Sequence, residues 1–233
     1  MKVNKGVKLL LIYLFSLIAA VIIAITYIYL FHTYKEDEPD NDKDKDGIVN
    51  SIDPDTDGDG IPNFRDPDAD GDGVPNAQDI AENARKLKGT FYEYFKGLYE
   101  NIGGKAGFLV CYDVPRIAYR KAGLSLDVLL REDYAKNKDN YNPEKGINLP
   151  NTDYFFRRTR NLYAYCEGNG KLIKNCLKPR PGDVLFYGRY HITLVIEVNP
   201  DGTINEVESA PETIFITEHK NKKWRPMDVG RLL

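Results

Sequence analysis

Cys111 and His191 are the residues whose types and setting fit nucleophilic catalysis. The chain holds only three cysteines and three histidines, so the candidates can be taken one at a time. Cys166 and Cys176 lie ten residues apart in CEGNGKLIKNC, a spacing that predicts a hairpin-loop disulfide in an oxidising compartment. That bridge leaves Cys111 unpaired at the predicted N-terminus of a helix, where the macrodipole and free backbone N–H groups favour a thiolate and supply an oxyanion donor. His32 abuts a long apolar run, and His219 falls in a polar, Lys-rich stretch. His191 opens the most apolar predicted strand, HITLVIEV, where a histidine needs a reason. A Cys-His pair requires a third group to fix the imidazole, and Glu206 and Glu208 share one face of the next strand. From residue types alone an inert buried cysteine and a structural histidine are the commoner reading.

A second constellation is made of carboxylates. Asp42-x-Asp44-x-Asp46-Gly47 recurs as Asp55-x-Asp57-x-Asp59-Gly60 and as Asp68-x-Asp70-x-Asp72-Gly73, a period of 13 residues. Asn50, Asn63 and Asn76 keep step, followed by Asp53, Asp66 and Asp79. Carboxylates at loop positions 1, 3 and 5 can converge on one hard cation, glycine at 6 permits the sharp turn, and a carboxylate at 12 closes the shell. Calcium is the expected ion. The array resembles thrombospondin type 3 repeats, although position 12 is Asp and no flanking helices are read as in an EF-hand. The resemblance implies a calcium-stiffened spacer, structural in role, holding the following domain away from its anchor. The competing reading is an acidic flexible linker, since without metal such a charge density repels and stays disordered.

These residues must be delivered by the rest of the chain. Residues 9–31 form an uncharged apolar run of 23 residues, roughly 34 Å as a helix and enough to cross a hydrocarbon core of about 30 Å. It exceeds the apolar region of a secretory signal, and Tyr27, Ile28 and Tyr29 stand where a small-residue cleavage site would fall. Lysines at 2, 5 and 8 precede it and Glu36, Asp37 and Glu38 follow, so the positive-inside rule keeps residues 1–8 in the cytoplasm and exports the remainder. A single-span membrane anchor is expected. Residues 36–80 hold 16 Asp/Glu against three Lys/Arg, whereas 81–233 hold 25 Lys/Arg against 19 Asp/Glu. Without clustering of basic and aromatic residues, that mild excess gives no ground for a nucleic-acid partner.

The domain expected over 81–233 starts with helical periodicity. Thr90-x-x-Glu93 reads as a capping box for a helix carrying Phe91, Tyr94, Phe95, Leu98 and Ile102, stopped by Gly103-Gly104. Further helices are predicted over 111–122, 126–136 and 161–167. Past Pro181 the period drops to two, predicting strands over 183–187, 191–198, 203–208 and 213–217 with Asn199-Pro200-Asp201-Gly202 as a turn. Helices followed by an antiparallel sheet describe an α+β domain.

The stretches CYDVPRIAYRKAG (111–123), LDVLLREDYAKN, NTDYFFRRTRNLYAY (151–165) and RPGDVLFYGRYHITLVIEV (180–198) together resemble a domain-of-unknown-function branch of the NlpC-type cysteine peptidase superfamily, over about 103–217. The resemblance implies a papain-like fold with N-terminal helices on an antiparallel sheet. It makes Cys111 the nucleophile and His191 the base, and puts the polar third residue at Glu208, as in the related CHAP amidases, with Glu206 as the alternative. Asp113 matches a family position and would cap or orient the helix. The implied reaction is hydrolysis of an amide through a thioester, with a cell-wall peptide or glycopeptide as substrate. Tyr112 and Tyr190 are candidates for a subsite, or equally for core aromatics. A wall-binding module that does not cut, and an acyltransferase on the same fold, are the alternatives in other classes.

Overall fold

The computed structural model describes residues 5–35, 42–94, 106–141, 148–152 and 155–233. Helix α1 (Lys5–Phe31) is a single 27-residue rod, and none of its side chains is buried by the rest of the chain. It is long and apolar enough to cross a membrane, a property that a signal sequence shares. The segment Glu36–Glu38 lies outside the described residues.

The three Asp loops do not stand apart from the domain. Ala69 is fully buried in the main core, and Phe64 packs against its edge. Helix α2 (Asn76–Lys86) begins inside the third loop and buries Ile80, Ala81 and Ala84 in that core, so the expected boundary at residue 80 falls within a helix. The end of α1 also closes on the domain. His32 Nδ1 lies 2.8 Å from the Gly89 carbonyl, and the N–H groups of Phe91 and Tyr34 donate to the carbonyls of His32 and Gly107 at 2.6 and 2.7 Å. Apolar side chains in the loops give them a surface to pack against the domain.

The expected helix from Thr90 does not form over 90–94. Phe91 and Tyr92 are extended and bridge to Phe215 and Leu109. Tilted and edge-on contacts of the Phe91 ring with Phe108 and Phe215 supply the packing that overrides the local capping pattern. Phe95, Leu98, Ile102 and the Gly103-Gly104 stop lie outside the described residues.

Three further helices follow. Helix α3 (Asp113–Arg120) buries Val114, Ile117, Ala118 and Tyr119. Helix α4 (Leu126–Asn137) is capped by Ser125, whose hydroxyl accepts from the Val128 N–H at 3.4 Å. Helix α5 (Thr159–Gly168) buries Leu162, Tyr163 and Cys166. The strands are β1 (Leu172–Cys176), β2 (Val184–Tyr187), β3 (His191–Val198), β4 (Thr203–Glu208), β5 (Thr217–Lys223) and β6 (Met227–Gly230). They form one antiparallel sheet in the order β1-β6-β2-β3-β4-β5. This is the α+β architecture expected, with helices on one side of an antiparallel sheet.

Strand alternation divides the core in two. Val184, Phe186, Ile192, Leu194 and Ile196 face the helices, while Leu185, Val195, Ile204 and Val229 form a smaller cluster with Trp224 and Met227. The same division overturns the expected disulfide. Cys166 belongs to the helix-side core and Cys176 to the other cluster, and all three cysteines are free thiols. The two thiols are thus buried in separate clusters and are not bonded to each other. The strand expected over 213–217 is also displaced: 211–213 is a turn and β5 starts at Thr217.

Candidate functional site

Cys111 lies in a turn two residues before the first residue of α3, on a segment held from several directions. The N–H of Val110 donates to Asp113 Oδ2 at 2.8 Å. The Leu109 N–H donates to the Phe91 carbonyl at 3.2 Å, and the Leu109 carbonyl accepts from the Glu93 N–H at 3.1 Å and the Ser209 hydroxyl at 3.0 Å. Asp113 is in turn clamped by Arg157, whose Nη2 also reaches Glu93 Oε2 at 2.6 Å. Asp113 thus orients the turn before the helix, as one of the two expected roles has it. Its partners Glu93 and Arg157 carried no signal in the sequence, because they lie 20 and 44 residues away and meet Asp113 only in the folded chain.

His191 is the first residue of β3 and Glu208 the last of β4. Val195 pairs with Glu206, and counting outward along both antiparallel strands brings His191 to the end where Glu208 sits. His191 Nε2 donates to Glu208 Oε1 at 2.7 Å. That leaves Nδ1 as the nitrogen available to the thiol. Glu206 is engaged elsewhere: it is fully buried, accepts from Thr193 Oγ1 at 3.2 Å and pairs with Lys222. Of the two glutamates, Glu208 is the one that bonds His191.

The electrostatics follow from these contacts. Burial works to raise the Cys111 thiol, yet its interactions with His191, the Ile192 N–H and Thr159 outweigh that and hold it below the ordinary thiol range. Thr159 Oγ1 lies 3.8 Å from Cys111 Sγ, a contact with no sequence signal. His191 shows the mirror effect: burial opposes its charge, but Cys111 and then Glu208 raise it to about 9. Hydrogen bonding from His191 lowers the Glu208 carboxyl against its burial, with His219 adding to the effect. Cys166, buried without such a partner, is pushed up to about 12. Of these two thiols, Cys111 is the one whose thiolate its surroundings favour. A thiolate beside an imidazolium held by a carboxylate is the arrangement that attacks carbonyl carbon and returns a proton to the leaving group.

His219, in a stretch whose sequence predicts a polar loop, lies on β5 and its Nε2 donates to Glu208 Oε2 at 2.7 Å. Tyr112 is fully buried and cannot line a subsite, whereas Tyr190 is 90 % exposed.

The Asp loops repeat in three dimensions as in sequence. The N–H groups of Gly47, Gly60 and Gly73, each at positive φ, donate to Asp42, Asp55 and Asp68 at 2.9, 2.9 and 2.8 Å. The recurring asparagines staple the loops. Asn50, Asn63 and Asn76 accept from the N–H groups of Lys43, Thr56 and Ala69, and Asn63 and Asn76 donate to the carbonyls of Asp53 and Asp66.

Carboxylate oxygens of Asp42, Asp44 and Asp46, of Asp55, Asp57 and Asp59, and of Asp68, Asp70, Asp72 and Asp79 converge within 4.8 Å in each group. Asp53 and Asp66 fall outside those groups but are 3 % and 8 % exposed, each with an oxygen lacking any donor. Asp42, Asp55 and Asp79 also each bury an unpartnered oxygen. Burial, then repulsion from Asp72 and Asp70, lifts the Asp79 carboxyl to about 6. Buried carboxylate oxygens without donors, aligned with like charges, fit a hard divalent cation in each loop.

The sequence profile of a family described as Domain of unknown function (DUF1287) matches residues 78–208, more than half the chain. The chain belongs to this family. The matched span holds Cys111, Asp113, His191 and Glu208 together, and ends on the last residue of β4. Comparisons with curated proteins and with solved structures return no match.

Proposed function

We propose that the chain is a membrane-anchored cysteine amidase or peptidase that works outside the cytoplasm. Its substrate would be peptide amide bonds of a cell-wall polymer resembling peptidoglycan. The observation that carries this reading is the single imidazole of His191, which acts on the Cys111 thiol while bonded through Nε2 to Glu208. In this reading the proton of Cys111 rests on His191, and the thiolate attacks the amide carbonyl. The backbone N–H of Cys111 and the hydroxyl of Thr159, 3.8 Å from the sulfur, would donate to the developing oxyanion. His191 then protonates the leaving amine, and the thioester is hydrolysed by water that His191 deprotonates. Glu208 keeps the imidazole oriented and compensates its charge.

The wall substrate rests on the resemblance to NlpC-type enzymes, and the external location on α1 and the lysines before it. The loops would hold calcium through Asp42, Asp44, Asp46 and Asp53, through Asp55, Asp57, Asp59 and Asp66, and through Asp68, Asp70, Asp72 and Asp79. The ions would neutralise the crowded carboxylates and fix the loops against the domain. Incubation of the protein with purified wall sacculi tests the reading. New amine termini released by the wild type and not by Cys111→Ala support it, and equal release by both refutes it. Product carrying an added amine in place of water would turn the assignment to acyl transfer.

A further inference from the structure

Glu208 serves two imidazoles at once. His191 Nε2 lies 2.7 Å from Oε1 and His219 Nε2 lies 2.7 Å from Oε2. A carboxylate bonded through one oxygen can rotate about its last torsion, exchanging oxygens and admitting water to the vacated side. With both oxygens engaged, that rotation costs a charge-assisted hydrogen bond.

The surroundings leave this task to His219 alone among the described residues. Its register partner on β4 is Glu206, whose charge is matched by Lys222 and whose oxygens also take Thr193 and Tyr187. On the far side of the site the Tyr187 ring packs 5.6 Å from the His191 ring and offers Glu208 no donor. The side chain of His219 is 37 % exposed and sits on an edge strand, so it adds little to the core.

We infer that His219 is a positioning residue: it occupies Oε2 of Glu208 so that Oε1 stays on His191, and through that contact it sustains the Cys111–His191 pair. The inference rests on the reading of Cys111 and His191 as the reacting pair, and its test separates the two.

The full-length protein in detergent with calcium is treated with iodoacetamide across pH 5–9, and modification of Cys111 is followed by peptide mass mapping. Wild type, His191→Ala, His219→Ala and His219→Gln are compared, with a thermal melt of each. His219→Ala is expected to lower the alkylation rate at pH 6 roughly three- to tenfold by raising the thiol's inflection, with the alkaline plateau unchanged. His219→Gln keeps an N–H at the same reach and is expected to restore most of the rate, which a loss of general stability would not do.

A His219→Ala profile that superimposes on the wild type overturns the inference. So does a glutamine variant as slow as the alanine one. Wild-type and His191→Ala profiles that both follow an ordinary thiol would instead refute the underlying pair, and this inference with it.

Discussion

Arg157 and Asp113 meet in a two-point ion pair, with Nη2 to Oδ2 at 2.5 Å and Nε to Oδ1 at 3.0 Å, two residues past the reactive thiol. The same Nη2 reaches Glu93, and all three side chains are at most 7 % exposed. Arg157→Leu would strip Glu93 of this buried partner and leave Asp113 with the longer Arg116 contact, Nη1 to Oδ1 at 3.8 Å. A loss of about 3–5 kcal/mol is expected in chemical or thermal unfolding at neutral pH. Arg157→Lys keeps the charge but not the fork, so an intermediate loss is expected.

The pH dependence follows from two opposed shifts. The Cys111 thiol is held low, so its contribution to stability is lost as pH falls through its folded value. The imidazole of His191 is raised from 6.5 to about 9, so its contribution is full below 6.5 and lost as pH rises through about 9. The ionised pair exists between those limits. Hydrolysis that depends on Cys111 is expected to rise on the acid side with thiolate formation and to fall on the alkaline side near 9. Between pH 6.5 and 9 the two contributions oppose each other, so the wild-type melting temperature is expected to vary less there than either shift alone would give, as melts at stepped pH check.

Calcium should stabilise the folded chain, because the carboxylate oxygens that repel one another are ordered only in the native state. For a loop with a dissociation constant of about 0.1 mM, 1 mM calcium adds about 1.4 kcal/mol per site. Thermal melts are expected to shift upward with calcium and back with chelator. Asp79→Asn should shrink the shift while leaving the chelated protein as stable or more so, since it removes a crowded charge.

Gly123 joins the loops to the site-bearing helix. It follows α3 at φ +75°, and a Cβ there would meet the Ala69 carbonyl oxygen at 2.9 Å. Gly123→Ala is expected to cost about 1–3 kcal/mol through backbone strain and displacement of the third loop, read as a lower melting temperature.

Strands β2 and β3 are legible because they are apolar on both faces, and β4, which buries Asn205 and Glu206, from the turn Asn199-Pro200-Asp201-Gly202 that precedes it. Strand β5 is not. As an edge strand, TEHKNKK is polar on both faces, so it shows no period, and with it His219 was read as loop. Strand β1 ends on Cys176 and was read as part of a disulfide loop, a local inference that the burial of the two thiols in separate clusters overrules. The dyad was readable from one helix start and one strand start. The choice of Glu208 over Glu206 was not, because it depends on Lys222 from a neighbouring strand.

The central claim is that Cys111 is a thiolate held by His191. Thiolate absorbance near 240 nm, recorded against pH for the full-length protein with Cys111→Ala subtracted, measures it directly. An inflection below the 9.0 of an ordinary thiol is expected, moving upward in His191→Ala. An inflection at or above that value, unchanged by removal of His191, would contradict it.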